Sequence, residues 1–214
     1  MLLNTKSDIP ESFYIFVDTE NPLTAQALKS TGTFSSSAYT MCKYDKSFLE
    51  KYMRGRVKYL PYKRSGNDMN VSSPFYTSVI NEFSVEYDAE RIREKLYPLY
   101  PSRMSAVYAF GDYDTCIKVS RKYDWELESV RKFKLIQGNL TRVIKVNMEI
   151  VSQARSMYLN SMLDEKGKEI LWKNYWSGLN YVPLNAYLSN YSFGNYKVDD
   201  IYEYLIEGSV VLAE

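Results

Sequence analysis

A chain of 214 residues, 45% apolar and 25% charged, is long enough to bury a core within one large domain and too apolar to be disordered throughout. Its 27 basic and 26 acidic residues leave a formal charge of +1, which excludes a polyelectrolyte partner as the organising theme and leaves only local patches. With no histidine and two cysteines, the sequence excludes His-based hydrolases, Cys/His zinc sites and a disulfide scaffold, so any chemistry falls to carboxylates, Tyr, Lys, Arg, Ser or the thiols.

Residues 1–10 lack a signal-peptide core and no apolar run approaches a membrane span, so a cytoplasmic protein with no membrane partner is expected. The first predicted strand covers 12–17, bounded by Pro10 and by the polar turn that reaches Pro22. Thr24 is placed to cap a short helix over 25–30 that Gly32 stops, and the Ser- and Thr-rich stretch 33–40 reads as a loop or an edge.

Between 43 and 64 comes a basic segment interleaved with tyrosine. Its Arg54, Arg56 and Lys58 are candidates for partner binding, through phosphates and stacked bases or through a protein surface. The same pattern also fits a solvated helix face balanced by Asp199, Asp200, Glu203 and Glu207. A turn is expected at 65–68, a strand at 79–85, and a helix from Ala89 capped by Asp88 and ended by Pro98 and Pro101. The central strand, 105–110, runs into Asp112, which caps a helix carrying Tyr113, Cys116, Ile117 and Ser120 on one face. Ser105 or Arg103 then lies near the head of the central layer, either to serve a ligand or to satisfy local backbone groups.

The strands 130–136 and 142–146, joined through Gln137-Gly138-Asn139, predict a hairpin. Two helices follow over 149–163 and 165–176, separated near Asp164 and ended by Gly178, and the closing elements are 201–208 and 209–212. The fold class is α+β, in a single domain over 1–214.

Three stretches in order resemble the ADP-ribosyltransferase-like superfamily, in particular small bacterial and phage members related to the DarT toxins. They are Phe13-Tyr14-Ile15-Phe16-Val17 with its turn and the 28–32 helix end, the strand at 102–110 followed by Asp112, and the closing segment 202–212. The resemblance implies two small, mostly antiparallel sheets forming a cleft flanked by helices, with NAD held in that cleft. It carries the catalytic Glu onto Glu203 and the hydroxyl position onto Ser105, with Ser102 as the alternative. The implied cofactor-binding set is Tyr14, Ile15, Ser102, Arg103 and Ser105; no metal is implied.

Ile15 stands where the family carries His or Arg, and it can neither hydrogen-bond a ribose nor pair with a phosphate. Losing such an anchor costs roughly 1.5–3 kcal/mol, enough to make NAD binding weak or absent. The implied function is therefore a binding and inhibitory factor with a degenerate NAD site. It would be a phage-type counter-defence protein acting on a host or toxin protein, for example an ADP-ribosylating toxin. The alternative is an active mono-ADP-ribosyltransferase that modifies a host protein or nucleic acid.

Overall fold

Two small antiparallel sheets face each other, and the apolar runs read as strands supply them. The computed structural model describes residues 9–59, 83–184 and 194–213. One sheet has the order β1 (Phe13–Phe16), β4 (Val130–Ile136), β9 (Ser209–Leu212), β2 (Thr33–Ser35). The other has the order β3 (Val107–Ala109), β8 (Tyr202–Glu207), β5 (Arg142–Asn147), and β6 (Tyr181–Leu184) and β7 (Gly194–Lys197) form a separate ribbon. Phe13, Ile15 and Val17 from the first sheet pack against Val107, Ala109, Val143 and Ile206 from the second, which buries the alternate side chains of each strand in one inter-sheet core. A reciprocal pair of backbone hydrogen bonds between Tyr14 and Phe110, each 2.8 Å, ties β1 to the end of β3. The architecture is thus mixed α and β with small antiparallel sheets, as expected.

The predicted hairpin over 130–146 does not form. Both strands exist, but β4 pairs with β9 and β5 pairs with β8, so the chain changes sheets between them. The burial of β5 on both faces is the physical reason. Val143 enters the inter-sheet core while Ile144 and Val146 enter a second core beneath the helices, so β5 serves as a strand buried on both faces. The connection from β8 to β9 switches sheets at the same corner, through Gly208, where a Cβ would come within 2.9 Å of the Thr141 side chain.

Seven helices occur among the described residues. Helix α1 (Pro22–Ser30) starts before the expected position, because Asn21 accepts from the amides of Leu23 and Thr24 and Pro22 fits its first turn; Thr24 lies inside it, buried. Gly32 ends it as expected, at φ +61°. The stretch 33–40 is the edge strand β2 followed by α2 (Ser37–Tyr44), and α3 (Lys46–Met53) comes next behind an Asp45 cap.

Residues 83–85 of the expected 79–85 strand belong to helix α4 (Phe83–Leu96); 79–82, the 65–68 turn and residues 60–64 of the basic segment lie outside the described residues. Val85, Ala89 and Ile92 are all buried at helical spacing, which a short apolar run viewed as a strand concealed. Asp88 is consequently no cap but an inward mid-helix carboxylate that accepts from the Tyr158 hydroxyl at 2.8 Å. Helix α5 (Tyr113–Tyr123) begins at Asp112, whose Oδ1 accepts from the Thr115 amide at 2.6 Å. Helices α6 (Met148–Leu159) and α7 (Glu165–Trp176) lie with α4 against the outer face of the second sheet, over a core that includes Ile144, Leu205, Trp172 and Trp176. Among the described residues no helix is long and apolar enough to cross a membrane.

Candidate functional site

Alternation along β8 decides the chemistry of the site. Tyr204 and Ile206 point into the inter-sheet core, which leaves Glu203, Leu205 and Glu207 on the opposite face, under the helices. A carboxylate in that position must be partnered or neutralised. Helix α4 answers with Glu86, Glu90 and Arg93, an i, i+4, i+7 stripe turned inward rather than to solvent.

Two buried polar clusters result. In the first, Arg103 forks Glu86 with Nε at 2.8 Å and Nη2 at 3.1 Å, while its Nη1 reaches Glu203 Oε1 at 2.9 Å. The Tyr175 hydroxyl donates to the same Glu203 oxygen at 3.1 Å, and the rings of Tyr108 and Tyr175 lie 5.2 and 5.4 Å from the guanidinium carbon. In the second cluster Arg93 pairs with Glu90, Ser102 Oγ donates to Glu90 at 2.8 Å, and Glu207 accepts from the Tyr59 hydroxyl and the Ser102 amide. Burial raises the carboxyl pKa of Glu203 against the opposing pull of Arg103, and burial also raises that of Glu90.

The first cluster floors a cleft of about 770 Å³. Glu86, Arg103, Tyr108 and Glu203 line its inner end. Phe16, Phe110 and Trp125 form an aromatic wall, with Phe16 edge-on to both of the others at ring distances of 5.9 and 5.2 Å. Asp18, Glu20 and Glu126 stand at the mouth, and Arg155 enters from α6. Tyr123 completes the wall; its hydroxyl donates to Glu149, which also takes Lys122 at 2.6 Å, so α5 and α6 are fastened across the opening.

Among the described residues, Arg103 and Tyr175 both hydrogen-bond Glu203 through Oε1. Thiol chemistry is closed to the site. Burial pushes Cys42 and Cys116 up to about 11 and about 12, so neither supplies a thiolate near neutral pH. Among the described residues no group of three or more metal-ligating side chains converges.

Of the residues singled out in the sequence, Arg103 and Glu203 come together in the cleft and the others do not. Ser105 is fully buried elsewhere, with its Oγ accepting from the Ala38 amide at the start of α2. Ser102 belongs to the second cluster. Tyr14 is half-buried against Tyr113. Ile15 points away from the cleft, at 1% exposure in the inter-sheet core, and it is Phe16 that the first strand delivers to the opening. A histidine at Ile15 therefore places a polar group among Phe13, Val17 and Phe133, without reaching a ligand. Ile15→His is expected to lower stability by about 1–3 kcal/mol with no gain in NAD affinity, read by thermal denaturation with and without NAD.

Arg54, Arg56 and Lys58 are exposed, with Lys58 paired to Glu94 at 2.9 Å, and none of the three lines the cleft. Glu86 is the charged site residue, and Tyr108, Tyr175, Phe16 and Trp125 the aromatic ones, that reading the sequence missed. The signal for Glu86 was the 86, 90, 93 stripe on α4, hidden while that segment was divided between a strand and a later helix.

No curated protein matches the chain. A family model described as "Protein of unknown function (DUF2441)" matches residues 4–213, nearly the full length over which the sheets, the helical layer and the cleft are built. The chain belongs to that family.

Proposed function

We propose that the chain is a binding protein built on an ADP-ribosyltransferase-like cleft whose NAD site has degenerated, and that it acts by engaging a protein partner rather than by turnover. One observation carries the reading: the first strand offers Phe16 to the cleft and the adjoining turn offers Asp18 and Glu20, where the family resemblance would call for a cationic anchor. A pyrophosphate entering there meets carboxylates, a like-charge approach that works against binding. Glu203 is compromised as well. Its Oε1 is held at 2.9 Å by Arg103, a fixed cation shared with Glu86 that would oppose the positive charge developing on a ribosyl group. The setting suggested by the resemblance is phage-type counter-defence, with a host or toxin protein as the partner.

A second reading, an active mono-ADP-ribosyltransferase, draws on Glu203 lining the cleft. Labelled-NAD cleavage and transfer assays on the wild type and on Glu203→Gln separate the two. Absence of turnover in both is the expected result. Robust wild-type turnover, reduced by orders of magnitude in Glu203→Gln, contradicts the binding reading and establishes the enzyme.

A further inference from the structure

The inner end of the cleft shows how this protein holds a guanidinium. Arg103 sits between the carboxylates of Glu86 and Glu203 and beside the rings of Tyr108 and Tyr175. The outer part of the same cleft repeats those ingredients around open space. Phe16, Phe110 and Trp125 wall it, and Asp18, Glu20 and Glu126 stand at its edge. Among the described residues that line the cleft, five carboxylates face two guanidiniums, and Arg103 is already bound by its own pair of carboxylates.

Carboxylates beside aromatic faces attract a flat, weakly hydrated cation through charge and through the ring quadrupoles. Trp125, an exposed large aromatic at 43%, turns its ring toward Phe16 at this wall, a placement that serves ligand contact better than solvation. Asp18 is held in place for the task, since its Oδ1 accepts from the amides of Glu20 and Asn21 at 3.0 and 3.3 Å and so shapes the turn that presents both acids.

We propose that the outer cleft receives the guanidinium of an arginine side chain presented by the protein partner. The inference rests on the binding-protein reading and names the chemistry by which that partner is recognised.

The test uses the full chain and a short end-capped peptide with one central arginine. Its counterpart carries citrulline, which keeps the shape and removes the charge. Trp172 and Trp176 are fully buried, so a ligand-induced change in tryptophan fluorescence reports Trp125, and Trp125→Phe checks that assignment. The arginine peptide should give saturable quenching that weakens as salt rises, with the citrulline peptide at least tenfold weaker. Combined Asp18→Asn, Glu20→Gln and Glu126→Gln should reduce arginine-peptide affinity at least tenfold while circular dichroism stays unchanged, because all three residues are exposed.

Equal binding of the two peptides, unchanged affinity in the triple variant, or no binding of the arginine peptide at millimolar concentration each overturn the proposal. If the peptide fails to bind and NAD is also inert, the arginine proposal falls alone. NAD turnover instead brings down the binding reading on which it rests.

Discussion

Arg103→Met should destabilise the protein by about 3–5 kcal/mol, a large share of the roughly 5–15 kcal/mol that holds a domain folded. Methionine fills much of the volume, so the loss is electrostatic: Glu86 at 1% exposure and Glu203 at 7% lose the guanidinium that bridges them. The pH dependence identifies the cause. Without Arg103 the folded-state pKa of the Glu203 carboxyl, already raised by burial, rises further above the ordinary 4.5. The native variant then holds protons that the unfolded chain has released, so its stability falls as pH rises through the window above 4.5. Urea denaturation should accordingly show a smaller difference from the wild type at pH 5 than at pH 8. Adding Glu86→Gln and Glu203→Gln to Arg103→Met should return part of the lost stability. A pH-independent loss, with no recovery from the added amides, would mean that packing and not charge sets the effect.

Trp176→Ala should cost a comparable amount, about 3–5 kcal/mol. The side chain is fully buried, its Nε1 donates to the Ala89 carbonyl at 2.9 Å, and its ring meets Tyr175 edge-on at 4.8 Å. The cavity left behind lies next to the tyrosine that steadies Glu203 and Arg103, so the cleft floor should loosen together with the helical layer. Trp176→Phe keeps most of the volume and loses the hydrogen bond, and its smaller cost, with about 1 kcal/mol from the bond, separates the two contributions. Chemical denaturation of both variants provides the comparison; equal stability of Trp176→Ala and the wild type would remove α7 from the account of how the site is held.

Much of the architecture was legible because it is local. Asp112 announced the start of α5, Gly32 the end of α1, and the apolar runs at 12–17, 105–110, 130–136 and 142–146 announced strands. Pairing was not local. The Gln137-Gly138-Asn139 turn has hairpin composition, yet the burial of β5 on both faces draws that strand into the other sheet, a preference that appears only once β8 and the helices are in place.

The site divided along the same line. Glu203 and Arg103 were recognisable as chemistry-bearing residues, but the ion pair joining them spans 100 positions and the one to Glu86 spans 17. Ile15 shows the limit most clearly. Period-two alternation fixes that Ile15 and Phe16 point oppositely, while which of them meets the cleft depends on where the second sheet packs.

Isothermal titration of NAD into the wild-type protein decides whether the cleft proposed to be degenerate binds NAD. Flat heats up to millimolar NAD are expected on the proposed reading, in which Phe16, Asp18 and Glu20 line the opening. Saturable binding at micromolar NAD, weakened by Glu203→Gln, would contradict it.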